Sequence, residues 1–230
     1  MPEPGPIILL TRPRAASERF ADALRARFSG SAEIVIAPVI EIEPVGSLVD
    51  PRAWRTVVFT SVHGVERAPE GHGVTAYCVG DTTAHRAAEA GYRVISADGT
   101  ADDLVVRLLD DAPEGPILHI RGAHGTSLVD RLGAEASERV TYRQVDREIP
   151  ADVLERLALA HRVIAPVFSP RSAQRLRACA GGLDGMNVIA ISQAAAEEWG
   201  GPATVAEAPT RRAMEEAIAQ AVDSDSPYPG

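Results

Sequence analysis

The sequence predicts an α/β protein of two doubly wound, parallel-sheet lobes joined by a two-stranded β-ribbon linker. Three observations predict it. Short apolar runs without alternation, the mark of strands buried on both faces, take turns with helical periodicities. The second half repeats the first at an offset of about 110 residues, too long for a solenoid repeat. The strand count then assigns the chain's first segment to the lobe at its far end.

Each element follows in order. Residues 7–10 are a continuous apolar run, hence a strand, and 14–28 carry Phe20, Ala23, Leu24 and Phe28 at helical spacing. Ser29-Gly30 ends that helix and 33–39 starts the next strand. Further strands are expected at 57–60, 76–79 and 93–96, with helices near 62–68, 83–90 and 102–110. Gly91 stands where a helix C′ glycine belongs. The second half offers strands at 116–120, 139–142, 162–168, 187–191 and 203–206. Strands alternating with helices imply right-handed crossovers and parallel sheets.

Four short pairs carry the repeat. Residues 8–13 (ILLTRP) return at 117–122 (ILHIRG), and 58–65 (VFTSVHGV) at 167–174 (VFSPRSAQ). Residues 79–84 (VGDTTA) return at 191–196 (ISQAAA), and 97–100 (ADGT) at 207–210 (EAPT). Residues 1–38 supply two strands, the block 52–143 five and the block 165–222 three. Two strands make no stable sheet, so 1–38 and 165–222 should form lobe one, with 52–143 inserted as lobe two. Residues 39–51 and 144–164 are then linkers, and VIEIEP and VDREIP within them alternate as a half-exposed ribbon would. The polar tail 223–230 is expected to be disordered.

Composition narrows the chemistry. A net charge of −9 and an aromatic fraction of 4% argue against general nucleic-acid binding, which needs a basic footprint and stacking platforms. Every basic residue is Arg, so Schiff-base catalysis, pyridoxal phosphate attachment and a Walker-A lysine are excluded. Cys78 and Cys179 read as buried free thiols of a reducing compartment. MPEPGP at the start has neither a basic n-region nor an apolar h-region, and no long apolar run occurs. A cytoplasmic protein is expected. The six histidines show no paired metal spacing, so no metal is expected. No G-x-G-x-x-G follows a strand, which disfavours a dinucleotide site, and no G-x-S-x-G elbow occurs.

Ligands of doubly wound sheets bind outside the carboxyl ends of the strands. Those ends hold Thr11 and Arg12; Thr60 and Ser61; Gly80, Asp81, Thr82 and Thr83; Arg121 and Gly122; Ser169; and Ser192. Helix N-termini follow immediately, so the set favours anions such as carboxylates. Ser61, Thr82 and Ser169 also read simply as N-caps. His119 reads as a core residue within its strand; His63 and His124 follow strand tips. Asp81 shows no acidic partner at a neighbouring tip.

In order along the chain stand a TRP strand tip, FTS at 59–61, VGxxTA at 79–84, Arg-Gly at 121–122, Tyr142, FSPxxA at 168–173 and a PT leading an amphipathic helix at 209–222. This ordered set resembles the uroporphyrinogen-III synthase family over nearly the whole chain. The resemblance implies two flavodoxin-like lobes and a cofactor-free cyclisation of hydroxymethylbilane, with inversion of ring D and loss of water, in an anion-binding inter-lobe cleft. It implies Tyr142 as donor to the departing hydroxyl, Thr83 as a second catalytic residue, and Thr60, Ser61 and Ser169 as its motif tips; with the other strand-end residues these form the expected substrate-binding set. A linear tetrapyrrole is the partner implied, with a transient handover from hydroxymethylbilane synthase, no nucleic acid or membrane, and a monomeric protein. Ala195 stands where the repeated motif would carry threonine, so any contact through that hydroxyl is lost. The competing reading is a non-catalytic, two-lobed cytoplasmic binding or sensor protein for an anionic metabolite. A sugar-nucleotide transferase is disfavoured by small lobes and the missing glycine fingerprint.

Overall fold

A computed structural model describes residues 5–28, 30–47, 50–181 and 185–224. The chain opens with β1 (Ile7–Leu10), α1 (Arg14–Phe28) and β2 (Glu33–Ile36), then runs through β3 (Ile40–Pro44) and a 3₁₀ turn into β4 (Thr56–Phe59). There follow α2 (Val62–Glu66), β5 (Thr75–Cys78), α3 (Asp81–Glu89), β6 (Arg93–Ser96) and α4 (Ala101–Asp111). β7 (Ile117–Gly122), α5 (Val129–Leu132), β8 (Ala136–Asp146) and α6 (Ala151–Ala158) come next. The chain ends in β9 (Val163–Val167), α7 (Pro170–Cys179), β10 (Asn187–Ala190), α8 (Gln193–Trp199), β11 (Ala203–Val205) and α9 (Arg211–Asp223).

Two compact units result, one from residues 1–41 with 145–230 and the other from 42–144. The first, lobe one, holds a parallel sheet in the order β11-β10-β9-β1-β2. β1 lies inside it, Ile7 beside Val163 and Ile8 beside Ile164, although the partners are over 150 positions away in the chain. Its side chains alternate by face. Ile7 and Leu9 join Leu176, Val188 and Ala195 below α7 and α8, while Ile8 and Leu10 meet Phe20, Leu24, Met214 and Ile218 of α1 and α9. Both faces of the strand are therefore covered, which is why IILL contains no polar residue. Arg162 closes the lobe's far end by donating to the carbonyls of Val222, in the last turn of α9, and of Ser224, just beyond it, where a helix C-terminus favours a cation.

Lobe two is a sheet in the order β3-β8-β7-β4-β5-β6. Val57, Phe59, Leu118 and Ile120 face α2 and α3, and Val58, Tyr77 and Ile117 face α4 and α5. Without β3, its order matches lobe one strand for strand: β6, β5, β4, β7 and β8 occupy the places of β11, β10, β9, β1 and β2. The repeated peptides of the sequence sit at equivalent strands, and the chain simply enters the two lobes at different points.

Several expected boundaries move. Residues 144–164, expected as linker, contain α6, whose Val153, Leu154 and Leu157 pack into lobe one's core. Three apolar positions within two turns are enough to bury one stripe of a short helix. The strand expected at 139–142 is eleven residues long, and β3 pairs beside it at the sheet edge, so the two ribbon segments belong largely to that sheet. β2 stops at Ile36, ahead of Pro38, which cannot donate to a ladder. Of the tail expected to be disordered, Asp223 ends α9 and Ser224 follows it; 225–230 lie outside the described residues, as does Ser29.

β1's central place can be checked. Ile8→Ala should cost about 2–5 kcal/mol and accelerate amide exchange in β9 and β10, leaving β4 and β7 protected. Loss of protection in β4 and β7 with β9 intact would contradict the sheet order.

Candidate functional site

A doubly wound sheet has one position where adjacent crossovers depart to opposite faces, and the crevice outside the strand ends opens there. In lobe one that point lies between β1 and β9, and in lobe two between β4 and β7. The residues beyond those strands are Thr11 and Arg12 with Phe168 and Ser169, and Thr60 and Ser61 with the Arg121–Gly122 end of β7. Sequence reasoning found these tips but not which of them adjoin.

In lobe two, Tyr142 lies within β8 rather than closing a strand. A register shift at Arg121 and Gly122 sets Tyr142 opposite Gly122. A Cβ on Gly122 would stand 2.5 Å from the tyrosine ring, so only glycine lets the aromatic approach this strand end so closely. The ring also meets His63 edge-on, with centroids 5.6 Å apart, and His63 is held by Glu66. Tyr142 is 7% exposed, and its hydroxyl has no hydrogen-bond partner among the described residues.

Thr60 lies against a residue that sequence patterning placed in the core. His119, on β7 and fully buried, reaches the Thr60 hydroxyl with Nε2 at 3.4 Å, while its Nδ1 is buried without a partner among the described residues. Burial, and then the charge of Arg121, push the imidazole pKa down to about 4. The ring is therefore neutral at neutral pH. An unpaired N–H costs more than an unpaired lone pair in such a place, which favours the proton on Nε2 and makes Thr60 its acceptor.

Arg121 is fully engaged. Its Nε and one terminal nitrogen bind both oxygens of Glu138 at 2.9 and 2.7 Å, and the other nitrogen donates to the carbonyls of Gly122 and Gly125. This fork-to-carboxylate pair holds Glu138 down at about 2. The guanidinium thus fastens the loop after β7, and gripping a ligand would require releasing Glu138.

Around α3, Gly80 is the N-cap and supplies no side-chain cap, so Thr82, expected as a cap, stands exposed in the first turn. Thr83 is buried at the third helical position. Asp81 accepts from Ser96, and a hydrogen bond with Asp81, followed by its charge, raises the pKa of Asp98. An acidic neighbour thus exists; Asp98 follows the adjacent strand β6, which the sequence could not align with β5.

Lobe one differs. Thr11, just beyond β1, is 1% exposed with its hydroxyl buried and without a partner among the described residues, so it lies beneath the surface and presents no hydroxyl outward. Arg12 stacks on Phe168, its guanidinium carbon 4.3 Å from the ring centre. It has no carboxylate partner among the described residues, and burial, then Arg19 and Arg211, depress its pKa. Ser169 caps α7 in a capping box with Ser172. Ser192 caps α8, and Ala195, the counterpart of Thr83, is fully buried. Ser61, Ser169 and Ser192 therefore do act as N-caps, each already accepting from its own helix. The thiols of Cys78 and Cys179 are buried and free, and burial pushes Cys78 up to about 12.

Among the described residues no group of three His, Cys, Asp or Glu side chains could hold a metal. No helix among them is long and apolar enough to cross a membrane.

Residues 18–216 match the family described as Uroporphyrinogen-III synthase HemD. The fold is similar to the crystal structure of uroporphyrinogen-III synthetase from Helicobacter pylori 26695, at 16% identity and a TM-score of 0.65 over 94% of this chain and 99% of that one. It is also similar to a mutant uroporphyrinogen III synthase from the extremely thermophilic bacterium Thermus thermophilus, at 15% identity and a TM-score of 0.52 over 94% and 98%. No curated protein sequence matches.

The buried imidazole makes a testable demand on stability. Unfolding frees His119 to bind a proton near its ordinary 6.5, whereas the folded protein resists until about pH 4. The unfolded state binds more protons in that window, so stability falls as pH drops through it, by at most about 3 kcal/mol. His119→Gln should flatten urea-denaturation stability between pH 6.5 and 4 relative to the unsubstituted chain. An unchanged slope would mean that His119 is not held neutral.

Proposed function

The chain belongs to the uroporphyrinogen-III synthase family, cyclising lyases of tetrapyrrole biosynthesis, and we propose that its strand-tip residues bind hydroxymethylbilane and steer its closure with ring D inverted. The substrate carries eight carboxylates and loses its hydroxyl readily. The protein's task is then orientation, which in the best cases supplies about 7–11 kcal/mol.

The observation that supports this reading most is the Tyr142 hydroxyl, unpartnered among the described residues and aligned over Gly122 at lobe two's crevice. Tyr142 acts as a hydrogen-bond donor to the departing hydroxyl: the pyrrole nitrogen's electrons break the carbon–oxygen bond, the oxygen leaves as water with a proton balanced by the one the pyrrole N–H gives up, and the freed carbon then bonds to ring D. Thr83 assists from the first turn of α3. Thr60, oriented by His119, offers its hydroxyl proton to a carboxylate. Backbone N–H groups around Gly80, Ser61, Ser169 and Ser192 and the exposed Thr82 supply further donors, as suits helix N-termini. Asp81 is the acceptor in this set and suits a pyrrole N–H. Arg12 is the substrate cation of lobe one. Thr11 and Gly122 serve through backbone position, and Arg121 fixes the loop that frames Gly122.

No cofactor is invoked. The protein works as a cytoplasmic monomer, receiving its unstable substrate directly from hydroxymethylbilane synthase. A binding or sensor protein would share the anion-seeking tips, but the family match does not favour it.

The test is to generate hydroxymethylbilane in situ with its synthase and measure type III against type I product. Tyr142→Phe keeps the ring and removes the hydroxyl. Turnover should fall tenfold or more, at least about 1.4 kcal/mol of transition-state stabilisation, with the melting temperature unchanged. Thr83→Ala should lose less. A fully active Tyr142→Phe protein would remove the hydroxyl from the mechanism.

A further inference from the structure

Lobe one carries more positive charge at its crevice than the tip residues alone supply. Arg12 lies over Phe168, Phe168 meets Phe20 edge-on with ring centres 5.1 Å apart, and the Arg211 guanidinium carbon is 5.9 Å from the Phe20 ring centre. Phe20 and Phe168 thus join two guanidiniums that come from opposite ends of the chain. Arg19, next to Phe20 on α1, adds to the same field. An aromatic face stabilises each cation, but like charges held together still repel.

We propose that Arg211 is a second carboxylate-binding residue of this protein, acting with Arg12 across the Phe168–Phe20 pair. Three features argue for a carboxylate ligand. Arg12 is partly withdrawn from water without a protein counter-ion among the described residues, an arrangement that a ligand anion completes. Arg211 uses only Nε in its bond to Glu215, at 2.7 Å, and its terminal nitrogens make no hydrogen bond among the described residues. It is also the first residue of α9, a thirteen-residue helix capped by Thr210, whose N-terminal dipole favours an anion in the same place. Planar guanidiniums match carboxylates bidentately, so two of them discriminate a carboxylate from a neutral group. The identity of that carboxylate as one of the tetrapyrrole's rests on the function proposed above; the cation pair itself does not.

Calorimetric titration with uroporphyrin I, a stable octacarboxylate, and with citrate tests the pair. Arg211→Gln and Arg12→Gln should each weaken both ligands about tenfold or more, as loss of one charged hydrogen-bonding partner does. Arg212→Gln, at the neighbouring helix position where Arg212 pairs with Glu216, should change neither. The ligand-free melting temperature of Arg211→Gln should stay level or rise, since a repulsion is removed; a purely structural Arg211 would lower it and leave affinity intact. Glu215→Gln frees the guanidinium and should tighten citrate several-fold, which keeps the proposal testable even if Arg211→Gln does not fold. Affinities in Arg211→Gln within twofold of Arg212→Gln, or no response to Glu215→Gln, would overturn it. Loss of both ligands in Arg211→Gln while the unsubstituted protein forms no type III product would retain the cation pair and remove the tetrapyrrole reading. Normal binding in an active Arg211→Gln protein would do the reverse.

Discussion

Everything in lobe one depends on β1 being inserted between β2 and β9. Four apolar residues are buried on both faces, and their backbone groups pair with strands that follow at once and strands that follow after lobe two. A strand in that position cannot be solvated, so the hydrophobic term is large for so short a segment. It also fixes the site. Inserting β1 beside β9 creates the point where the sheet's order reverses, and that point brings Arg12 against Phe168.

Lobe two reaches the same geometry from a different starting strand. Its β4 and β7 adjoin as β9 and β1 do, so equivalent tips flank equivalent crevices. The chemistry has nonetheless diverged. One crevice has a buried neutral histidine behind Thr60 and an aromatic hydroxyl over Gly122. The other has guanidiniums set on phenyl rings. One lobe is therefore suited to donating hydrogen bonds and the other to holding charge. A sheet permits this division because the strands set the scaffold while residues just beyond them vary at little cost to the core.

Arginine serves two opposite purposes here. Arg121 is neutralised by Glu138 and two carbonyls and works as a fastener. Arg12 is left without a carboxylate partner among the described residues and stays chemically available. The formal charge of −9 conceals this, because net charge sums over a surface whereas binding depends on which cations the fold leaves uncompensated.

Local periodicity determined much by itself. The run IILL, the α1 stripe and the four repeated peptides declared a doubled, parallel α/β fold, and ordered short motifs pointed to the family. The strand count even assigned the first segment to the last lobe. Those features are legible because burial dictates residue type and a strand or helix repeats it at fixed spacing. Tertiary structure alone decided the neighbours: His119 behind Thr60, Tyr142 across Gly122, Glu138 on Arg121, Asp98 beside Asp81, and Arg211 near Arg12 through two rings. Sequence reading placed His119 in the core, where it is buried, but not its contact with Thr60, nor the grip of Glu138 on Arg121, because it sees a side chain's type and not its partner. Partners are set by strand order and register, and a one-residue slip in register sends every side chain of a strand to the other face.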